Sequence, residues 1–165
     1  MLRGTGKLHQ STNPATDILQ QQLKRIQNPD RQKRLQFLMP SLAADIQVRD
    51  RFFYSLSKAA NREKESWVIA GLQYLHHPLR AEGSLKYLEP SLDLLEEIQA
   101  TGDIFFPQSW LQATFGLYQS EEAAMVVRKF LAERHDYNPK LKSKILQSAD
   151  GLFRAGKLLK ETGMP

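Results

Sequence analysis

The sequence predicts an all-α fold of short paired helices, and three observations carry that prediction. Prolines mark five helix starts, apolar residues recur at helical intervals between them, and no segment sustains the strict alternation of a half-buried strand. Pro14 follows Asn13, Pro29 follows Asn28, Pro90 follows Glu89, Pro107 follows Phe106 and Pro139 follows Asn138. Proline's fixed φ suits the first turn of a helix, where its missing N–H would be unbonded anyway. An asparagine just before it offers a side-chain acceptor to the free N–H groups.

Taken in order, Asn13-Pro14 opens a helix whose apolar side is Ile18, Leu19, Leu23 and Ile26, and Asn28-Pro29-Asp30 opens a second through Leu35 and Leu38. From Asp45 a third segment spaces Val48, Phe52, Phe53 and Leu56 and stops at Asn61-Arg62. A fourth runs from Glu63 to His76 with Val68, Leu72 and Leu75 on one side, and Pro78 ends it. Glu89-Pro90 starts a helix through Leu92 and Leu95 that ends near Gln99, before Gly102. Asp103-Ile104-Phe105-Phe106 is too short to build a sheet and reads as an extended connector whose aromatics plug the core. Phe106-Pro107 opens the next helix, with Trp110, Leu111, Phe115 and Tyr118 inward. Ser120 is an N-cap with Glu121 and Glu122 in the first turn, ahead of Val127, Phe130 and Leu131. Asn138-Pro139 starts the last helix, striped by Leu141, Ile145, Ala149 and Leu152 and terminated at Gly163. The aromatic set Trp67, Trp110, Phe105, Phe106 and Phe130 is expected in the core.

From Pro29 to Lys160 these helices group as antiparallel pairs, each unit about 30 to 45 residues long, the span of helical solenoid repeats. The expected architecture is a right-handed stack of such pairs, a degenerate HEAT- or armadillo-like α-α superhelix. A compact irregular bundle is the alternative. Residues 1–12 are expected to be a disordered or artificially added segment. Residues 13–165 are expected to form a single helical-repeat domain, a fragment of a larger multidomain protein.

The 165 residues, 41% of them hydrophobic, suffice for a core without disulfide or metal staples. Absence of cysteine excludes disulfides, thiolate zinc sites and cysteine nucleophiles. No apolar run approaches the roughly 20 residues of a membrane span, and no export signal is visible, so no membrane is expected and the compartment stays open between cytoplasm and periplasm. The net charge of +5 raises the question of nucleic acid. Basic residues gather at Lys24, Arg25, Arg31, Lys33 and Arg34 and at Lys140, Lys142 and Lys144, but acids interleave through the middle. A solvated helix face is the preferred reading of these clusters.

Catalytic motifs are not found. Gly4-Thr5-Gly6-Lys7 superficially resembles a phosphate-binding loop but lacks the earlier glycine, the Ser or Thr after the lysine and the preceding strand. Glu96-Glu97 and Glu121-Glu122 are sequence neighbours whose side chains diverge on a helix and cannot flank one bond. His76-His77 is the one imidazole cluster, and adjacent helical residues point about 100° apart, so the two do not share a metal. The structural expectation is a cationic His at a helix C-terminus, favoured by the dipole. No catalytic and no metal-ligating residue is therefore assigned; His76, His77 and Arg80 are the candidate ligand or domain contacts.

Several strings are peculiar rather than compositional: Asn61-Arg62-Glu63 through Trp67-Val68, Leu75-His76-His77-Pro78-Leu79-Arg80, Glu97-Ile98-Gln99, Thr101-Gly102-Asp103-Ile104-Phe105-Phe106-Pro107 with Trp110-Leu111, and Lys144-Ile145-Leu146-Gln147 with Ala149-Asp150. Together they resemble the C-terminal helical region of zinc aminopeptidases of the aminopeptidase N family, over nearly everything after Asn28. That family's zinc site, His-Glu-x-x-His with a downstream glutamate, and its Gly-x-Met-Glu-Asn strand are both missing here. The resemblance thus implies a non-catalytic piece that packs on the catalytic domain of the same parent polypeptide and helps shape its substrate chamber. It implies zinc for the full-length enzyme, no cofactor in this chain, and only indirect contact with the peptide substrate. Two readings compete with it: a free-standing helical-repeat adaptor for a protein partner and, least favoured, a basic nucleic-acid-binding module.

Overall fold

Every element described in the chain is helical. The computed structural model describes the backbone of residues 14–162 and the side chains of residues 17–157. Ten α-helices are described: α1 (Pro14–Arg25), α2 (Pro29–Leu42), α3 (Ile46–Ser55), α4 (Glu65–Leu75), α5 (Ala81–Ser84), α6 (Leu88–Asp93), α7 (Leu95–Thr101), α8 (Phe106–Phe115), α9 (Glu121–Glu133) and α10 (Pro139–Thr162). Short 3-10 turns at Ala59–Arg62, Pro78–Arg80 and Leu85–Tyr87 join some of them, and no strand occurs among the described residues. The expectations for residues 1–12, the Gly4–Lys7 string, the Asn13 cap and the Gly163 stop lie outside the described residues.

The expected caps form where the side chains can reach. Asn28 Oδ1 accepts from the N–H groups of Asp30 and Arg31 at 3.0 and 3.1 Å, and Asn138 Oδ1 does the same for Lys140 and Leu141 at 3.0 and 3.3 Å. Ser120 Oγ takes the N–H of Ala123 at 3.3 Å. Each bond satisfies a donor that the first helical turn leaves free. Two starts differ from the reading of the sequence: Pro90 is the third residue of α6 and Pro107 the second of α8. Glu89 and Phe106 are thus already helical, because the tight turn Leu85–Tyr87 feeds directly into α6 and Asp103 organises the approach to α8.

The third segment also ends earlier than Asn61-Arg62. The helix α3 stops at Ser55, and the two later residues act back on it: Asn61 Nδ2 donates to the Ser55 carbonyl at 2.8 Å, while the Arg62 guanidinium donates to that of Leu56. They satisfy the carbonyls that the end of a helix leaves unbonded.

The predicted apolar stripes are the observed core. Phe52, Phe53, Leu56, Val68, Leu72, Leu75, Trp110, Leu111, Phe115, Val127, Phe130, Leu141, Ile145, Ala149 and Leu152 all belong to one buried cluster. Trp110 is completely buried and its Nε1–H reaches the Ser91 carbonyl at 3.1 Å, the partner that a buried indole requires. Leu35 and Val48 are only half-buried, and the stripe of α1 departs furthest: Ile18 is exposed, since α1 packs chiefly on α2.

Packing places α2 on α4, α4 on α8 and α8 on α10, while α9 lies against α10 and α6. Side-chain ties fix how three of these helices run. Arg80, just beyond α4, bonds the last turn of α2; His76, at the end of α4, meets Tyr118, just beyond α8; and Glu65, at the start of α4, bonds Asp103, just before α8. Helices α2, α4 and α8 therefore end along one edge of the molecule, and α4 and α8 begin along the opposite edge.

Candidate functional site

The sequence singles out His76, His77 and Arg80, and the structure puts them to three different uses. After Leu75 the chain cannot continue as α4 because Pro78 lies ahead, and the His76 N–H closes the last turn on the Leu72 carbonyl at 2.8 Å. The His76 ring turns into the core, where it is fully buried, with Nδ1 2.9 Å from the Tyr118 hydroxyl and the Tyr87 ring edge-on at 6.2 Å. Among the described residues its Nε2 has no hydrogen-bond partner. Burial lowers its pKa to about 3, so the ring is neutral near pH 7. The expectation of a cationic histidine on the helix dipole is corrected accordingly: the cost of desolvating a charge outweighs the pull of the terminus.

His77 stays exposed and accepts the Leu79 N–H on Nδ1 at 3.2 Å, which caps the turn Pro78–Arg80. Arg80 reaches away to the end of α2, donating to the Ser41 and Leu42 carbonyls at 3.0 and 2.9 Å. Burial, and then the charge of Arg49, lower its pKa. The three residues thus build one corner without converging on a common point.

What that corner borders is a cleft of about 530 Å³. Pro78, Ala81 and Leu85 line it from one segment, and Leu117 and Tyr118 from another. The buried bond to His76 holds the Tyr118 ring in place.

At the opposite edge, between α7 and α8, the expected connector is a tight turn. Asp103 organises it: its N–H donates to Glu65 Oε1 at 2.7 Å, and its own Oδ1 accepts the Phe105 N–H at 2.9 Å. Phe106 plugs the core as expected, but Ile104 and Phe105 are 77% and 74% exposed, so Phe105 is withdrawn from the expected aromatic core. The turn that directs Phe106 inward leaves the two preceding side chains no inward path.

Sequence reasoning missed Arg62, which is 3% exposed although charged. Nη2 meets Glu97 Oε1 at 2.8 Å and Thr101 Oγ1 at 3.1 Å, tying the turn after α3 to α7. Its only trace in the chain is a lone arginine in an otherwise helix-terminating stretch, which does not distinguish it from a surface residue.

Lys24, Arg25, Arg31, Lys33 and Arg34 are all exposed, and none of them enters an ion pair among the described residues. Among the described residues no three His, Cys, Asp or Glu side chains group so as to hold a metal ion. His76 and His77 in particular do not fit zinc, one being bonded to Tyr118 in the core and the other to the backbone of a surface turn. No described helix is long and apolar enough to cross a membrane.

Compared with family models, curated proteins and solved structures, the chain matches none.

Proposed function

We propose that this chain is the non-catalytic C-terminal helical domain of a zinc-dependent aminopeptidase, packing on the catalytic domain of its parent polypeptide and helping to shape the substrate chamber. Zinc belongs, on this reading, to that other domain. The observation that carries it is the turn at Ile104 and Phe105, two large apolar side chains held in solvent on a rigid, hydrogen-bonded scaffold. Such a pair costs solubility unless another surface covers it, and it falls within the Thr101–Pro107 string on which the family resemblance rests.

With that reading goes the finer architecture, a right-handed, degenerate HEAT- or armadillo-like stack of antiparallel pairs. The succession α2, α4, α8, α10, with α6 and α9 alongside, supports it, as do the shared edges on which α2, α4 and α8 end.

The upstream reading frame tests the proposal directly: it should encode His-Glu-x-x-His in frame with residue 1. A stop codon with no such motif would leave the free-standing adaptor, which the same exposed turn would also serve. A complementary assay asks whether the isolated chain with added zinc releases N-terminal residues from leucyl-p-nitroanilide; the expected rate is that of buffer. The exposed basic residues of α1 and α2 favour a second reading, polyanion binding. Its signature is affinity for duplex DNA that falls steeply and log-linearly with salt.

A further inference from the structure

We propose that the cleft between Pro78–Leu85 and Leu117–Glu122 binds an extended peptide segment bearing an apolar side chain and, two positions away, a Lys or Arg. This site lies at the edge where α4 and α8 end, away from the Ile104–Phe105 turn, and the inference does not rest on the parent-enzyme reading.

Its volume of about 530 Å³ falls within the range of pockets that hold small ligands or a few side chains. The lining is mostly apolar, with Pro78, Ala81 and Leu85 from one segment and Leu117 and Tyr118 from the other. Because the Tyr118 hydroxyl is engaged by buried His76, that side chain is already held in place, and a ligand need not order it. Leu117 is 49% exposed and Leu79, next to the rim residue Pro78, is 91% exposed, so apolar surface continues out of the cleft.

The polar part of the lining decides the charge of the occupant. Glu82 belongs to one of the two lining segments and Glu122 to the other, both are exposed, and neither enters an ion pair among the described residues. No Lys, Arg or His lines the cleft. The C-terminal pole of α8 opens beside it through Leu117 and adds negative potential. The N-terminal pole of α9 has the opposite sign, but its Ser120 cap and first-turn Glu121 and Glu122 offset it. An apolar lining that carries two carboxylates with no ion-pair partner among the described residues repels an acidic ligand and suits one that presents a greasy group beside a cation. In an extended strand, residues two apart share a face, which gives the spacing of the motif.

The test uses two synthetic peptides, acetyl-Lys-Ser-Leu-Ser-Lys-amide and its counterpart with Glu in place of both lysines, titrated into the whole chain while methyl NMR signals of Ala81, Leu85 and Leu117 are followed. The lysine peptide should shift those methyls and bind about tenfold or more tightly than the glutamate peptide, and added salt should weaken it. The E82Q/E122Q double variant, whose changes are on exposed side chains, should weaken the lysine peptide about tenfold while leaving the circular dichroism unchanged. Equal binding of the two peptides, unchanged affinity in the double variant, or no methyl shift at about 5 mM lysine peptide would each overturn the proposal.

Discussion

Arg62 Nη2 lies 2.8 Å from Glu97 Oε1, joining a guanidinium that is 3% exposed to a carboxylate that is 45% exposed. The two ends of this pair do not carry equal weight. Glu97 can rehydrate if released, whereas Arg62 would keep a buried charge with only the Leu56 carbonyl and the Thr101 hydroxyl as acceptors. Glu97→Gln should therefore destabilise the fold by about 1–3 kcal/mol. In a double-mutant cycle in urea, R62M/E97Q should cost less than the sum of the single changes, because the double variant no longer buries an uncompensated charge. Strict additivity would mean that the pair is a surface ornament.

A second prediction concerns the bond beneath the cleft. Tyr118→Phe leaves the volume of the ring intact but removes the one hydrogen-bond partner that the His76 ring has among the described residues. With both ring nitrogens then unpaired in the core, the expected cost is about 1–3 kcal/mol, read from the urea midpoint at pH 7.5. A stabilised or unchanged variant would show that the hydroxyl is buried at no benefit.

The same histidine sets a pH dependence, and its sign follows from where the protons sit. Burial depresses the folded pKa from 6.5 to about 3, so between those values the unfolded chain binds a proton that the folded chain refuses. His76 thus leaves stability intact above pH 6.5 and erodes it as pH falls, with a slope approaching about 1.4 kcal/mol per pH unit for one proton. Asp50, whose pKa is lowered by hydrogen bonds from Lys86 and Tyr87, adds its loss only at lower pH, below the ordinary carboxylate value of 3.8. Unfolding free energies measured from pH 7.5 to 4.5 should therefore fall in wild type, and the slope should flatten in His76→Gln. An equally steep slope in that variant would move the effect to other groups.

Much of the fold was legible because period and punctuation are local properties. The run Val68, Leu72, Leu75 needed only its own spacing to mark the buried side of α4, and Asn28 and Asn138 needed only the residues two and three places on. Contacts between distant segments were not legible in the same way. Nothing near Arg62 announces a partner 35 residues later, and nothing near His76 announces Tyr118, 42 residues away. The connector at Asp103 failed for a related reason: the spacing of two aromatics does not tell which one the turn will aim inward, and that is decided by Asp103 and by Glu65 from another helix. Of the candidate site, the sequence located the corner after α4 but not the cleft, half of which comes from the segment after α8.

Two glycines inside helices should respond to alanine with opposite signs. A Cβ on Gly71 would sit 2.5 Å from the tip of the Phe52 ring, which is itself buried and packed edge-on against Phe37. Gly71→Ala is an overpacking change and should cost about 1–3 kcal/mol. Gly151 in α10 has nothing within 4 Å of the same position, so Gly151→Ala should gain about 0.5–1 kcal/mol by restricting the unfolded chain. Thermal midpoints of the two variants, measured side by side, check the ordering, and it fails if both move the same way.

The exposed turn yields the last prediction, in which stability and association part company. Ile104 and Phe105 contribute little to the core of the chain, so the double change I104S/F105S should leave the unfolding free energy within about 0.5 kcal/mol of wild type. Phe106 and the Asp103 hydrogen bonds, which shape the turn, remain in place. What the change removes is contiguous apolar surface, and with it the drive to cover that surface. In the polypeptide that joins this domain to the proposed catalytic domain, limited proteolysis should then cut between the two domains faster, while the helical domain itself stays equally resistant. Loss of resistance within the helical domain would place the two side chains in the fold instead, and an unchanged cleavage rate between domains would take the turn out of the contact.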